Sequence, residues 1–213
     1  MKKLPLYPAL PFPPVQKVSG LDQDSDCALC PLANNNPKGQ RCLAAEGTPG
    51  GLLIVGEHPT EVERRLGRQF TSAGGRWVRD ILDKYAPQTP RVFATGLGCL
   101  PPYKGSDDDI EAATSACRPY LARVLEETRP SRVLLFGPQA GESFLGRSFN
   151  ALSVRRGYSW CFVRDASGKE RPTPVFLLPR LSEINGNRLI ARAVEADLAE
   201  ILRDRVTLYP EPL

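Results

Sequence analysis

The chain has 213 residues, 41% of them hydrophobic, and a net charge of +4, a length that fits one domain with short tails. No apolar stretch approaches the roughly 20 residues of a membrane-spanning helix, so the sequence argues against a membrane protein. Because it contains six cysteines but one histidine, His58, metal sites built from several histidines are excluded and sulfur must do most of any metal binding.

The two ends of the chain differ in composition from its middle. The start is basic but lacks the apolar core and cleavage site of a secretory signal, so we expect a cytoplasmic protein. Five prolines within residues 1–20 favour an extended arm over a helix. We therefore expect an N-terminal arm over residues 1–20, one domain over residues 21–204 and a C-terminal tail over residues 205–213.

Short apolar runs alternate with segments of helical spacing. The runs at residues 51–55, 91–95, 132–136 and 174–178 predict strands that are covered on both faces. Three helices are predicted: one around Trp77 and Ile81, one around residues 110–124 and one over residues 188–203. Ser106 and Asp109 suit a cap for the second helix, which we expect Pro119 to break or kink.

Strands that alternate with helices predict a parallel sheet with helices on both faces, the α/β class. Ligands of such sheets bind beyond the carboxyl ends of the strands, where successive loops meet at one edge. The sequence places four loops there, at residues 56–60, 96–99, 137–140 and 179–182. We expect the functional site among them.

The cysteines include a CxxC pair, Cys27 and Cys30, followed by Cys99 after a strand and Cys117 within a helix. Four thiolates can enclose either zinc or an iron-sulfur cluster, and the spacing does not choose between the two metals. Buried thiols without a metal are the alternative. Cys161 lies in an apolar, strand-like run and is expected in the core, whereas the pattern assigns no role to Cys42.

Several short motifs occur in an order that resembles the uracil-DNA glycosylase superfamily, most closely its iron-sulfur branch, the family-four enzymes. The resemblance spans about residues 27–203. It rests on the CxxC pair and on Gly56-Glu57-His58-Pro59, Gly67-Arg68-Gln69-Phe70, Ala73-Gly74-Gly75, Thr95-Gly96-Leu97-Gly98-Cys99-Leu100-Pro101-Pro102, Cys117-Arg118-Pro119-Tyr120-Leu121, Arg129-Pro130, Gly137-Pro138-Gln139-Ala140 and Arg156-Gly157.

The resemblance implies a three-layer α/β/α fold with a central four-stranded parallel sheet. It also implies a monomer that binds DNA and no membrane, and a 4Fe-4S cluster held by Cys27, Cys30, Cys99 and Cys117, with zinc as the less favoured metal. The reaction would be base excision, the hydrolysis of an N-glycosidic bond through an oxocarbenium-like sugar after the base leaves the stack.

The resemblance further implies roles for residues of the first motifs. Glu57 would be the catalytic acidic residue, Gly56 would line the base pocket and Phe70 would stack on the extruded base. His58 stands where the family has alanine, beside Glu57, and is a candidate general base. A loop imidazole that bonds locally is the alternative for His58.

Two motifs depart from the family. Gly96 stands where the family has an asparagine whose amide reads uracil, and Arg180-Leu181-Ser182 replaces the family's His-Pro-Ser. Arg180 would support negative charge on the leaving base, while Ser182 keeps the serine of a DNA-contacting loop. We therefore predict a DNA glycosylase for uracil or another damaged or modified base. The alternative is an inactive member of the fold that binds DNA or a protein.

Basic residues offer a possible phosphate-contacting surface. A group of arginines follows the first motif, and dispersed surface charges would explain it equally well. The group consists of Arg64, Arg65, Arg68, Arg76 and Arg79.

Overall fold

A computed structural model describes residues 30–32, 42–101, 106–146, 158–164 and 167–203. The expected arm, the expected tail and Cys27 lie outside these residues. Within the described part of the chain, no helix is both long enough and apolar enough to cross a membrane.

Strands and helices alternate along most of the described chain. The strands are β1 (Glu46–Gly47), β2 (Leu52–Gly56), β3 (Arg91–Thr95), β4 (Arg132–Phe136), β5 (Tyr158–Arg164) and β6 (Glu170–Leu178). The helices are α1 (Glu61–Leu66), α2 (Ala73–Tyr85), α3 (Asp107–Thr128), α4 (Pro138–Leu145), α5 (Leu181–Gly186) and α6 (Arg188–Leu202). The four predicted strands and the three predicted helices are all present.

The strands form one sheet in the order β1-β3-β2-β4-β6-β5. The four central strands pair in parallel, which confirms the predicted α/β class and its parallel core. The predicted strand count of four was too low, because β1 and β5 pair antiparallel with β3 and β6 and extend the sheet at both edges. β1 has only two residues, too few to leave a periodic signal in the sequence.

Alternate side chains of the central strands fill two cores, as the two-residue period of a strand requires. Leu52, Ile54 and Phe136 belong to one buried cluster that includes residues of α2, α5 and α6. Leu53 and Val55 belong to the other, which includes residues of α3 and α4. The sheet therefore lies between two helical layers, and the predicted three-layer α/β/α arrangement is confirmed.

Helix α3 continues through Pro119, so of the two predicted outcomes at this residue a break was wrong, while a kink stays a prediction. A proline inside a helix removes one backbone hydrogen bond. Here the next turns bury Tyr120, Leu121 and Val124 against the sheet, which holds the helix together across the missing bond. Ser106 caps the helix as predicted, since its hydroxyl accepts from the Asp109 N–H at 3.1 Å.

Candidate active site

Backbone hydrogen bonds join the loops at the carboxyl edge of the sheet. The Gly96 N–H donates to the Gly56 carbonyl at 2.8 Å, and the Leu97 N–H donates to the Glu57 carbonyl at 2.9 Å. On the other side, the Gly137 N–H donates to the Leu178 carbonyl at 2.9 Å. The loops after β2 and β3 are thus one unit, and the loop after β4 is fixed to the end of β6.

The Glu57 carboxylate connects these units. Its Oε1 accepts from the backbone N–H of Gln139 at 3.2 Å and from Nε of Arg180 at 3.1 Å. The Glu57 side chain is 18% exposed and the Arg180 side chain 47%, so the carboxylate lies just beneath the guanidinium. Three loops predicted to meet at this edge therefore converge on one carboxylate.

Gly137 makes room for that carboxylate. Its backbone has φ 95° and ψ 156°, a region that essentially only glycine occupies. A Cβ at this position would lie 2.4 Å from Cδ of Glu57 and 2.5 Å from its Oε1. Any larger residue would push the Glu57 side chain out of its place.

His58 is turned toward its own loop. Its Nδ1 lies 3.1 Å from the Pro59 carbonyl, a bond in which the ring nitrogen must be the donor. This contact corresponds to the locally bonded alternative for His58, and its role as a general base stays a prediction.

A buried carboxylate, Glu63, holds the chain segment between Glu57 and Phe70 in place. Glu63 is 3% exposed. One oxygen accepts from the backbone N–H of Thr60 at 2.7 Å, and the other accepts from the Ser72 hydroxyl at 3.0 Å. Thr60 and Ser72 are the N-cap residues of α1 and α2. Glu63 therefore ties the beginnings of two consecutive helices together around the segment that carries Phe70.

Phe70 lies in the core, 1% exposed, with its ring centroid 5.2 Å from that of Phe93 and 6.3 Å from that of Phe136. The ring also faces Gly56, where an added Cβ would lie 3.3 Å from its Cζ. Its backbone has a positive φ of 52°, which is unusual for an aromatic residue. The ring thus lies directly beneath the β2 end of the site, and base stacking on it remains a prediction.

Arg79 holds the unusual backbone of this segment. Its guanidinium donates to the Phe70 carbonyl at 3.0 Å and to the Gln69 carbonyl at 2.8 Å, and it pairs with buried Glu46 at 2.8 Å. Burial lowers the pKa of Arg79, against the opposing effect of Glu46. Its guanidinium carbon lies 3.9 Å from the centroid of the Phe93 ring. Both alternatives for Arg79, a phosphate-contacting surface and a dispersed surface charge, place it at the surface, whereas its side chain is only 22% exposed.

The other arginines of that group are mostly paired as well. Arg64 and Arg65 both bind Glu61, and Arg68 shares Glu46 with Arg79. Arg76 is exposed and pairs with no carboxylate in the part of the chain that the structure describes. Contact between Arg76 and a DNA phosphate stays a prediction.

The two glycines of the Ala73-Gly74-Gly75 motif explain how α2 approaches the site. A Cβ on Gly75 would lie 2.5 Å from the Phe70 backbone, and a Cβ on Gly74 would lie 2.9 Å from the Leu181 carbonyl. The start of α2 is therefore packed against both the Phe70 segment and the Arg180 loop. Ser182, predicted to contact DNA, is exposed in the first turn of α5.

Gly96 adjoins a hydroxyl that sequence reasoning missed. A Cβ on Gly96 would lie 2.7 Å from Oγ of Ser143, a residue of α4 that is 0% exposed. The Ser143 hydroxyl has no hydrogen-bond partner within the described residues. Nothing in the sequence pattern singled Ser143 out, because its importance depends on this contact between loop and helix.

The three predicted cysteine ligands that the structure describes, Cys30, Cys99 and Cys117, lie on the α3 side of the sheet. Cys30 and Cys99 are each 7% exposed, and Cys30 shares an apolar cluster with Leu97 against which Cys117 packs. These thiols in an apolar setting suit a sulfur-bound metal group chemically. Among the described residues, however, no three His, Cys, Asp or Glu side chains come together as a metal-binding group, and Cys27 is not among those residues.

The two remaining cysteines differ from each other in setting. Cys42 lies beside the loop that carries Cys99, since a Cβ on Gly98 would be 2.9 Å from Cβ of Cys42. Cys161 is half-buried on β5 and packs against the apolar core, close to its predicted position. Burial raises the pKa of the Cys161 thiol to about 11, so this side chain is a poor nucleophile at neutral pH.

Comparison with known proteins agrees with the geometry. Residues 48–204 match the uracil DNA glycosylase superfamily. A Type-4 uracil-DNA glycosylase of Sulfurisphaera tokodaii is 26% identical over 186 residues, which cover 85% of this chain and 80% of the relative. A Type-4 uracil-DNA glycosylase of Pyrobaculum aerophilum is 30% identical over 114 residues, which cover 53% of this chain and 56% of that relative.

A third relative, the Type-4 uracil-DNA glycosylase of Saccharolobus solfataricus, is 28% identical over 142 residues, or 63% of this chain and 62% of the relative. The chain thus spans less than two thirds of the second and third relatives. The superfamily match covers well over half of the chain and includes Glu57, Gln139 and Arg180, which are joined at the carboxyl edge of the sheet. The chain belongs to the uracil DNA glycosylase superfamily.

Proposed function

We propose that the protein is a DNA glycosylase that hydrolyses the N-glycosidic bond of uracil or another altered base flipped out of DNA. The observation that carries this proposal is the Glu57 carboxylate, which the Gln139 N–H and Arg180 hold at the meeting point of three loops. Glycosidic cleavage develops positive charge on the sugar and negative charge on the departing base. A fixed carboxylate beside a guanidinium offers one group of each sign at one place.

In this proposal Glu57 stabilises the oxocarbenium-like sugar and orients the attacking water. Its two hydrogen bonds fix the position of Oε1 before the substrate arrives, so little reorganisation is needed during the reaction. Arg180 is half-exposed, so its guanidinium can approach the leaving base while still contacting Glu57. Phe70 is the aromatic surface beneath Gly56 on which the base would stack.

The loop after β3 has no side chain at Gly96, and this absence determines which bases we expect the protein to accept. An asparagine amide offers a donor and an acceptor side by side and so distinguishes uracil from cytosine, whereas Gly96 offers no side chain. We therefore propose that the accepted base is broader than uracil and includes deaminated purines. The inactive, DNA-binding alternative is favoured by the same absence, and the assay below separates the two.

We also propose a 4Fe-4S cluster held by Cys27, Cys30, Cys99 and Cys117. Such a cluster would tie the N-terminal segment to the loop after β3 and to α3, and it is given no part in the bond cleavage. Anaerobically purified protein should contain about four iron atoms and four acid-labile sulfides per chain. Cys117→Ser should lose this content and Cys161→Ser should keep it. Zinc without labile sulfide would contradict the proposal.

The enzyme assay measures base release from oligonucleotides that carry uracil, hypoxanthine or xanthine, in single and double strands. Wild type should release at least one of these bases, and Glu57→Gln should lower the rate by about 10²-fold or more, since general acid–base and charge stabilisation are lost. Glu61→Gln, which changes a half-exposed carboxylate at the first position of α1, is the matched control and should keep the wild-type rate. Equal DNA binding by wild type and Glu57→Gln with no release by either would support the inactive alternative.

A further inference from the structure

At the carboxyl edge of the sheet, the side chain of Ser143 lies where a side chain on residue 96 would begin. A Cβ on Gly96 would lie 2.7 Å from Oγ of Ser143 and 3.0 Å from its Cβ. Rotating the hydroxyl would relieve the first contact but not the second, because the Cβ of Ser143 is fixed by the backbone of α4. An asparagine at position 96 is therefore incompatible with Ser143 as it stands.

The Ser143 hydroxyl is buried without a partner within the described residues. Buried hydroxyls on helices usually donate to the carbonyl four residues earlier. Thr114 does so at 2.7 Å and Thr128 at 2.6 Å in this same structure. A buried hydroxyl left without a bond costs free energy, so the Ser143 hydroxyl is available to a partner that the described residues do not supply.

The Ser143 hydroxyl lies close to the loop that carries Glu57. The same Cβ position on Gly96 lies 3.2 Å from the Glu57 carbonyl, which accepts from the Leu97 N–H. Oγ of Ser143 therefore lies where a side chain at position 96 would begin, beside the segment that carries Glu57. Ser143 and Phe70 are both covered, at 0% and 1% exposure, so a base would reach both only when the loops part.

We propose that the Ser143 hydroxyl replaces the missing amide as the group that hydrogen-bonds to the extruded base, and that Gly96 is required to leave it room. This inference rests on the proposed glycosylase function. A hydroxyl is a donor and an acceptor at one rotatable atom, so it binds an oxo group in several orientations and does not read two neighbouring groups at once. The substrate class is accordingly oxo-bases read with low discrimination: uracil, hypoxanthine and xanthine.

The test compares Ser143→Ala, Gly96→Asn and the double variant in single-turnover base release and in thermal unfolding. Ser143→Ala should lower release of every accepted base at least tenfold without lowering Tm, since it removes an unpaired hydroxyl. Gly96→Asn alone should lower Tm and should not improve uracil release. In the double variant the contact with Oγ is gone and only the 3.0 Å contact with Cβ remains, so the Tm should recover in part. The ratio of uracil to hypoxanthine release should rise at least tenfold, because removal of Oγ gives the amide room.

Ser131→Ala is the matched control at the opposite edge of the sheet, where the hydroxyl donates to the Gly51 carbonyl at 3.0 Å. It should lower Tm and leave the release rates of folded protein unchanged. If wild type releases base and Ser143→Ala releases it at the same rates, this inference is overturned while the glycosylase function stands. If wild type releases no base from any substrate, the glycosylase function itself fails and the inference fails with it.

Discussion

Replacing Gly137 with alanine tests how the site holds its carboxylate. Gly137 is the N-cap of α4, and its added Cβ would lie 2.4 Å from Cδ of Glu57, where carbon atoms normally stay about 3.5–4.0 Å apart. The Glu57 side chain must therefore move away, which breaks its bonds to the Gln139 N–H and to Arg180. The substitution changes the position of the carboxylate without changing its chemistry.

The magnitude has two parts. Alanine at φ 95° and ψ 156° carries a strain of about 1–3 kcal/mol, because this backbone region suits only glycine. Loss of hydrogen bonds to the charged carboxylate adds about 1.5–3 kcal/mol at most, reduced here by partial exposure of the pair. We expect the free energy of unfolding to fall by about 2–4 kcal/mol. Base release should fall about 10²-fold in protein that remains folded.

Gly146→Ala is the matched control, at the other end of the same helix. Gly146 has φ 72° and caps α4, and its added Cβ would lie 3.6 Å from Arg118, an ordinary contact. This variant should lose about 1 kcal/mol of stability and keep its rate of base release. Urea unfolding measures the loss of stability, and single-turnover assays measure the rate of base release. Both are run at a temperature below the Tm of the less stable variant. Equal release rates in Gly137→Ala and Gly146→Ala would refute the reasoning.

Two further predictions concern stability. Gly75→Ala should lower the free energy of unfolding by about 1–3 kcal/mol, because its Cβ would lie 2.5 Å from backbone atoms of Phe70 that cannot rotate away. Gly186→Ala, whose added Cβ would meet no atom of another segment within 4 Å, should have little effect in the same urea titration, and equal losses would contradict the packing argument. Lys84 and Tyr85 lower the pKa of Glu195 by hydrogen bonding. The ionised Glu195 carboxylate therefore stabilises the folded protein at pH values above the ordinary glutamate pKa. The Tm difference between wild type and Glu195→Gln should therefore shrink as the pH falls from that range through the lowered pKa of Glu195, and a constant difference would exclude the ion pair as its source.

The central sheet and the Glu57 loop could be predicted because their signals are local. Four apolar runs marked the parallel strands, and the loops after them had to meet at one edge. Strand β1 escaped because its antiparallel pairing involves only two residues and depends on tertiary contact. The run around Cys161 was recognised as strand-like, but its antiparallel pairing with β6 was not predicted. The break expected at Pro119 failed for a similar reason, since burial of the following turns outweighs the lost hydrogen bond.

The side-chain partners within the site depended on contacts between distant segments. The sequence indicated a surface charge at Arg79, but its guanidinium binds Glu46 and the Phe70 carbonyl and is mostly buried. The sequence offered no reason to single out Ser143, because its proposed role depends on its contact with the space beside Gly96. Sequence reasoning identified Gly96 as a departure from the family, and the structure identified what fills the place.

The measurement that tests the central claim most directly is single-turnover release of base from a uracil-containing oligonucleotide and its hypoxanthine and xanthine counterparts, with wild type beside Glu57→Gln. The account predicts release of at least one base by wild type and about 10²-fold slower release by the variant, with DNA binding retained in both. Release by wild type and Glu57→Gln at the same rate would contradict the role of the carboxylate that three loops converge to hold.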